Sequence, residues 1–303
     1  MAVERKSKVR SMSRHVLIVT LCGFVLTAAN AVVAEDSFTQ RKNIVYGEVH
    51  GVALVMDIFV PKGEKNGHGI VDVASGAWSS DRGKIEDHRR AQVFELMCGK
   101  GFTLFAVRPG SVSKFSAVEM LAHINTGIRW VKEHAGGYEI APEELGLMGA
   151  SAGGHLACLT AVTANDATRV KATAVFFPPT DFLQYGDQKI DPSSKTGIGD
   201  LLRRLAFPAG VEGKSEEEIT AAVIAISPAR LVTASAPPFL LIHGDADLAV
   251  PLQQSEVMVA ALKKEKIPVQ LIVKAGGGHP WPTINEEVAV MADWFVKQLV
   301  KAE

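Results

Sequence analysis

From residue 70 onward, short apolar runs alternate with longer segments in which apolar residues recur at helical spacing. The apolar runs predict strands at 70–74, 103–107, 145–148, 172–177, 239–243 and 269–273. The longer segments predict helices at 89–98, 117–134, 156–163, 252–264 and 286–301. Continuous apolar strands separated by helices favour a mostly parallel central sheet with helices on both faces, which is an α/β fold.

Two regions depart from this alternation. The β-rich runs 42–46 and 54–60 flank a turn at 47–51, which predicts an opening hairpin or meander. The interval 181–230 is long, polar and interrupted by prolines, so we expect it to form a small insertion over the site. Within it, Ser215 followed by Glu218 is typical of a helix capping box.

In an open parallel sheet the ligand crevice lies beyond the carboxyl ends of the strands. Four of the predicted strands are followed at that edge by residues suited to chemistry. These residues are Ser75, Ser151, Asp245 with Asp247, and His279. We therefore expect one site at this edge of the sheet.

Residues 1–34 have the pattern of an export signal. Arginines and lysines precede an apolar run at 16–29, and the small-residue sequence Val32-Val33-Ala34 follows it. We expect cleavage after Ala34, with Ala31 as the second choice, and an uncleaved anchor is the alternative. The remaining residues, 35–303, predict one α/β domain that is secreted or periplasmic, with no stable membrane association after cleavage.

Removal of the signal leaves 27 of the 32 basic and 32 of the 33 acidic side chains, so the mature chain is mildly acidic. This balance argues against a nucleic-acid partner. Cys98 and Cys158 show no metal-ligand spacing, and an H-E-x-x-H pattern is absent from the sequence. The glycines at 276–278 precede a proline rather than a helix, which argues against a nucleotide site. We expect no metal and no cofactor.

The sequence Gly149-Ala150-Ser151-Ala152-Gly153 lies between a predicted strand and a predicted helix. This G-x-S-x-G pattern is typical of a nucleophile elbow, a sharp turn that exposes the serine hydroxyl and requires small neighbours. We expect Ser151 to be a nucleophile and the Ala152 N–H, at a helix N-terminus, to be one donor of an oxyanion hole.

A serine nucleophile needs a histidine base, and the base needs an acid that orients it. His279 follows the last predicted strand in a glycine-rich loop, so we predict that it is the base. The other histidines are interpreted as part of the signal, as solvated or helical residues, or as residues that pack or fix a turn locally: His15, His50, His68, His88, His123, His134, His155 and His243. Asp247 is our choice for the acid, with Asp245 as a turn former, although spacing alone leaves both open.

Three motifs carry a resemblance to a known family: the segment 149–157, the His-Gly-x-x-Asp-x-x-Val-Pro segment 243–251, and Gly-Gly-His at 277–279. Together they resemble the α/β-hydrolase superfamily, within it the esterase/lipase group of acetylxylan and feruloyl esterase-like proteins and prolyl oligopeptidase-type catalytic domains. The resemblance covers about residues 45–300. It implies an α/β-hydrolase fold and places the catalytic acid at Asp247.

Two positions depart from the pattern of that group. Its members commonly carry His-Gly-Gly-Gly-Trp after the first alternating strand, where this chain has Ala74-Ser75-Gly76-Ala77-Trp78. Since backbone N–H groups form an oxyanion hole, Gly76 and Ala77 remain the predicted donors. His123 stands where many relatives carry an aspartate.

The resemblance and the motifs together predict a serine carboxylic-ester hydrolase that acts through an acyl-enzyme. Short acyl esters are the expected substrates, either small molecules or esters linked to plant polysaccharide, with Trp78 and Trp281 as walls of the substrate site. One alternative is an exported peptidase of the prolyl oligopeptidase type. The stretch of mature chain before the hydrolase pattern is short, which disfavours this alternative. The other is a hydrolase-fold protein that binds without catalysis.

Overall fold

A computed structural model describes residues 37–187, 190–191 and 194–300. The strands within these residues are Phe38–Val49 (β1), Val52–Pro61 (β2), Gly69–Val73 (β3), Thr103–Arg108 (β4), Gly146–Ala150 (β5), Ala172–Phe176 (β6), Phe239–Gly244 (β7) and Val269–Lys274 (β8). They form one sheet in the order β1-β2-β4-β3-β5-β6-β7-β8.

The sheet is parallel from β4 to β8, and the hairpin β1-β2 adds to β4 in the antiparallel direction. Strands β3, β6 and β7 are buried along their whole length. Burial on both faces explains why these strands are continuously apolar in the sequence. The predicted α/β-hydrolase fold, with its mostly parallel sheet and opening hairpin, is confirmed.

The helices within the described residues are Gly83–Arg90 (α1), Val93–Gly99 (α2), Ala117–Glu133 (α3), Ala152–Val162 (α4), Gly197–Ala206 (α5), Glu216–Ala225 (α6), Gln253–Lys264 (α7) and Ile284–Phe295 (α8). The core lies in two layers. One layer includes apolar residues of α3, α4 and α7, and the other includes those of α2 and α8. Cys98 and Cys158 lie in different layers and are both free.

The helix predicted at 89–98 is wrong as a single element. The chain forms α1 and α2 instead, because Gln92 adopts a left-handed conformation with φ 60° and interrupts the helix. Helix α4 also begins four residues before its predicted start, since the turn at Ser151 leads directly into it.

The interval 181–230 contains α5 and α6, and the predicted capping box is present at the start of α6, where Ser215 and Glu218 bond reciprocally. The beginning of the interval is fixed to α7, because the Gln254 side chain accepts the N–H groups of Thr180 and Asp181 at 2.8 Å each. Leu202 and Leu205 of α5 are buried in the core. The interval is therefore packed onto the sheet domain.

Residues 1–34, the predicted export signal, lie outside the described residues. Among the described helices, none combines the length and apolar character needed to cross a membrane.

Candidate active site

Ser151 occupies the sharp turn between β5 and α4, with φ 54° and ψ −120°. A non-glycine residue adopts this conformation only when its surroundings enforce it. The surroundings here are tight: a Cβ atom on Gly149 would lie 2.5 Å from the Gly153 backbone, and one on Gly153 would lie 2.2 Å from the Val73 carbonyl oxygen. The glycines thus let strand and helix approach closely enough to hold Ser151 at the turn.

The structure brings Ser151, His279 and Asp247 together, although they are far apart in the chain. The Nε2 atom of His279 lies 2.9 Å from Ser151 Oγ, and its Nδ1 atom lies 2.7 Å from Asp247 Oδ2. The Asp247 side chain is buried, while His279 is partly exposed. This is the nucleophile, base and acid geometry expected of a catalytic triad.

The two candidate carboxylates have different surroundings. Asp247 Oδ1 accepts the N–H groups of Ala249 and Val250 at 2.8 and 2.9 Å, which leaves Oδ2 directed at His279. Asp245 instead accepts the N–H of Gly276 at 2.7 Å in an exposed turn. The geometry therefore favours Asp247 over Asp245 as the partner of the imidazole.

Asp247 is held in its ionised form. Burial raises the pKa of Asp247. Hydrogen bonds from the imidazoles of His243 and His279 and from the Val250 N–H lower it by a larger amount, so the net pKa lies well below its usual range. The His243 contact is long, at 3.5 Å, because its Nε2 donates to the Val250 carbonyl at 2.9 Å. His243 thus fixes the turn that carries Asp247.

The loop after β3 forms a tight turn in which Ala77 and Trp78 both have positive φ, 48° and 54°. The N–H of Gly76 donates to the Ser79 carbonyl at 2.9 Å, so the prediction that Gly76 is an oxyanion donor is wrong. The N–H groups of Ala77 and Ala152 have no hydrogen-bond partner in the described part of the chain and remain available.

The loop at 74–79, here called the oxyanion loop, is joined to the elbow at Ser151 by a backbone hydrogen bond. The N–H of Gly153, one residue beyond Ala152, donates to the Ser75 carbonyl at 3.0 Å. Because this bond fixes the loop to the first turn of α4, it also fixes the distance between the free N–H groups of Ala77 and Ala152.

The two tryptophans predicted as substrate walls differ in their placement. Trp78 is largely buried but lines the cavity, and its Nε1 donates to His155 Nδ1 at 2.9 Å. Trp281 does not line the cavity; its Nε1 donates to Glu287 at 2.7 Å and its ring packs against Phe176. The prediction for Trp281 is therefore wrong, because its indole completes the core beneath the site.

His155 connects the oxyanion loop to the insertion. Its Nδ1 accepts from Trp78, so its Nε2 carries the proton and donates to the Ile226 carbonyl at 2.7 Å. Complete burial lowers the pKa of His155 to about 4, an effect that the bond to Ile226 only partly offsets. The interpretation of His155 as a packing residue agrees with this placement.

The interpretation of His88 as a solvated histidine is wrong. Its Nδ1 lies 2.7 Å from Asp72 Oδ2, and its side chain is only 12% exposed. Asp72 is fully buried in β3. The sequence does carry one signal, because Asp72 is the only charged residue in an otherwise apolar predicted strand, but nothing in the spacing identifies His88, sixteen residues later, as its partner.

Ser151 and His279 open into a cavity of about 980 Å³. Its lining is polar and charged along α1 and mostly apolar elsewhere. The apolar lining includes residues that the sequence did not single out: Phe177, Tyr185, Ile198, Leu201, Leu248, Val250 and Ile284. A cavity of this size accepts a drug-sized molecule.

Comparison with known families and curated proteins gives consistent matches. The BD-FAE family model matches residues 56–262. The probable carboxylic ester hydrolase LipM of Mycobacterium tuberculosis is 28% identical over 75% of this chain and 53% of its own length. Esterase LipC of the same organism is 23% identical over 82% of this chain and 61% of its own length. The chain thus spans about half to three-fifths of the length of these relatives.

Solved structures share the fold. A truncated form of a carbohydrate esterase from gut microbiota matches with a TM-score of 0.73 and 24% identity, covering 88% of this chain and 98% of that one. Thermogutta terrifontis esterase 2 phosphonylated by sarin matches with a TM-score of 0.66 and 22% identity, covering 84% of this chain and 94% of that one.

Proposed function

The chain belongs to the BD-FAE family, and on that premise we propose that it is a serine carboxylic-ester hydrolase. The observation that carries the proposal is the continuous hydrogen-bonded path from Ser151 Oγ through His279 to Asp247, at 2.9 and 2.7 Å. The relatives named as ester hydrolases support the same reaction class.

In the acylation step, Ser151 Oγ attacks the ester carbonyl carbon while its proton passes to His279 Nε2. The tetrahedral intermediate then collapses, the bond from carbon to the alcohol oxygen breaks, and His279 gives its proton to the leaving alcohol. Asp247 holds the imidazole in the required tautomer and stabilises the imidazolium.

Water completes the reaction. His279 removes a proton from a water molecule, whose oxygen attacks the acyl carbonyl carbon, and the returned proton regenerates Ser151 as the carboxylic acid leaves. In both steps the N–H groups of Ala152 and Ala77 donate to the oxyanion. Such donors typically contribute about two to three orders of magnitude to the rate.

For the substrate, we propose esters of short acyl groups, including esters carried by saccharides. The relative named as a carbohydrate esterase supports this class. The cavity of about 980 Å³ leaves room for an alcohol part much larger than an acetyl group, and Trp78 on its wall is a candidate contact for that part. We further propose that the protein is secreted or periplasmic, on the basis of residues 1–34.

Ser151→Ala tests the mechanism. We expect the variant to lose hydrolysis of p-nitrophenyl acetate by several orders of magnitude, because no other nucleophile takes its place, while the thermal unfolding curve stays near that of the wild type. Labelling by a fluorophosphonate probe should modify the wild type at Ser151 and leave the variant unlabelled. Retained turnover in Ser151→Ala would refute the nucleophile.

Two outcomes would favour the alternative functions. Faster cleavage of a proline-containing chromogenic amide than of the ester would indicate a peptidase. Absence of both turnover and fluorophosphonate labelling in the folded wild type would indicate a binding protein without catalysis.

A further inference from the structure

The wall of the cavity formed by α1 carries a concentration of charge that the proposed reaction does not use. Lys84, Asp87, His88 and Ala91 lie at helical spacing and all line the cavity, and Arg90 lines it as well. The remaining lining is mostly apolar, so this wall is where a charged part of a ligand would find charged partners.

Lys84 packs against the oxyanion loop. Its side chain covers Gly76 of the oxyanion loop so closely that a Cβ atom there would lie 2.9 Å from Lys84 Cδ and 3.3 Å from Nζ. The ammonium group is thus beside the loop that carries the free Ala77 N–H. Its side chain is only 27% exposed, which reduces the screening of its charge by water.

One turn further along α1, His88 adds a second donor. Its Nδ1 bonds to Asp72, whereas its Nε2 has no hydrogen-bond partner among the described residues. Burial lowers the pKa of His88. The charge of Asp72 and the hydrogen bond to it raise the pKa by a larger amount, so the net pKa lies above the ordinary histidine value. This shift favours the protonated ring, in which Nε2–H is a hydrogen-bond donor on the cavity wall.

The nearby carboxylate does not neutralise this wall. Asp87 accepts from Lys84 Nζ at 3.2 Å, but it also pairs with Arg90, so one carboxylate is shared by two cations. Lys84 and Arg90 line the cavity together with Asp87, and His88 is paired with the buried Asp72, so with His88 protonated these five groups leave an excess of one positive charge. The excess is positive and lies beside the oxyanion loop.

We propose that Lys84 and His88 form a subsite for a carboxylate carried by the substrate, on either its acyl or its alcohol part. The identity of the substrate as an ester rests on the proposed function, whereas the carboxylate contact does not. A Lys ammonium and an imidazolium bind a carboxylate by charge-assisted hydrogen bonds, while the apolar wall opposite accepts the rest of the molecule. The subsite would therefore select acidic esters over neutral esters of the same size.

Matched ester pairs test the subsite. For the acyl part, the pair is p-nitrophenyl hydrogen glutarate and p-nitrophenyl pentanoate; for the alcohol part, it is 4-acetoxybenzoate and phenyl acetate. The measured quantity is the ratio of kcat/KM for the acidic ester to that for the neutral ester. Differences in intrinsic reactivity cancel when this ratio is compared between variants.

Lys84→Met removes the charge and keeps the length of the side chain. It is preferable to a change at His88, which would leave Asp72 buried and unpaired. We expect the ratio to fall about tenfold in Lys84→Met for one of the two pairs, the usual scale for a hydrogen bond to a charged group. The matched control is Lys171→Met, which removes a lysine paired with Glu144 away from the cavity and should keep the wild-type ratio.

A binding measurement keeps this inference separate from the proposed function. In Ser151→Ala protein, glutarate and 4-hydroxybenzoate should bind more tightly than 1-pentanol and phenol, and the added change Lys84→Met should remove that preference. Loss of the preference with no ester turnover in the wild type would refute the esterase and support the subsite. Equal ratios and equal affinities in the wild type and Lys84→Met would overturn the subsite.

Discussion

His279 and His88 both lie on the cavity wall, and each bonds through Nδ1 to a buried carboxylate, Asp247 and Asp72 respectively. The surroundings of the two carboxylates differ. Asp247 also accepts the N–H groups of Ala249 and Val250, so its position is fixed from several sides. Asp72 bonds to His88 through Oδ2, while its buried Oδ1 has no partner among the described residues. The position of His88 therefore depends on one strong contact, whereas that of His279 is set by a network.

A third histidine, His155, makes stability depend on pH. Its pKa is about 4 in the folded protein and about 6.5 when unfolded, because burial disfavours the charged form. Between these values the unfolded chain binds more protons, so the free energy of unfolding falls as the pH falls from about 6.5 to about 4. The contribution lost is about 3 kcal/mol, and urea unfolding across this range measures it.

His155→Gln isolates this contribution. A glutamine amide can accept from Trp78 and donate to Ile226, but it does not titrate. We expect the variant to lose less stability on acidification than the wild type, while His134→Gln, at an exposed histidine, keeps the wild-type slope. The same pH slope in His155→Gln and the wild type would contradict the assignment.

The sequence identified the side chains of the site where spacing and order carry the information. Ser151, His279 and the pair Asp245 and Asp247 follow strands at the same sheet edge, so topology brings them near each other, whereas the choice of Asp247 over Asp245 came from the family resemblance. The direction of individual groups was not predictable in this way. The Gly76 N–H is used by a turn that needs two left-handed residues, and Trp281 faces the core because Glu287, one turn into α8, accepts its N–H.

At the scale of elements, the elbow joins three segments by close backbone contact. Gly153 lies against Val73 of β3 and donates to Ser75, while Gly149 of β5 lies against Gly153. The position of Ser151 thus depends on the spacing between β3, β5 and α4 rather than on side-chain packing.

Gly153→Ala tests this dependence. Its Cβ would lie 2.2 Å from a backbone carbonyl oxygen that cannot rotate away, so β3 and α4 must separate. We expect a loss of about 3 kcal/mol or more in the free energy of unfolding, the upper range for overpacking, together with reduced ester hydrolysis. Chemical denaturation measures the loss.

Gly136→Ala is the control for this change. A Cβ atom at Gly136 meets no atom within 4 Å, and the residue lies in a short 3₁₀ helix. This substitution should be neutral or slightly stabilising, because alanine has fewer unfolded conformations than glycine. Equal stability of the two variants would show that the approach at Gly153 is looser than described.

The break between α1 and α2 was not predictable from local signals, because neither Ala91 nor Gln92 is a helix breaker. Tertiary packing decides it. Helix α2 buries Phe94 and Met97 in the core, whereas α1 buries only Ile85 and turns its polar side to the cavity. A single straight helix over 89–98 could not direct the apolar side of α2 into the core and the polar side of α1 to the cavity at the same time.

At the scale of the whole molecule, the strand pattern was sufficient to predict the α/β class, and the family resemblance added the α/β-hydrolase fold. The six strands predicted from residue 70 onward are present with ends shifted by at most two residues, whereas β1 is seven residues longer than the predicted run 42–46 because much of it is exposed and polar. The order of the strands in the sheet was not predicted, because it depends on the crossovers between strands, which the linear pattern does not contain.

Export is the prediction that belongs to the full chain. We expect the protein produced in a secreting bacterial host to lack residues 1–34, because the apolar run and the small residues before Glu35 fit the requirements of a signal peptidase. Mass spectrometry of the purified protein should give Glu35 as the first residue, with Val32 as the second choice. A mature protein that retains Arg5 and Lys6 would contradict cleavage.

The two walls of the cavity come from separate stretches of the chain. The charged wall is a single short helix, α1, and part of the apolar wall, including Ile198 and Leu201, comes from α5 more than a hundred residues later. Neither wall supplies Ser151, Asp247 or His279. Selectivity toward either half of a substrate can therefore drift during evolution, or be redesigned, by substitutions confined to one helix while the reacting groups stay unchanged.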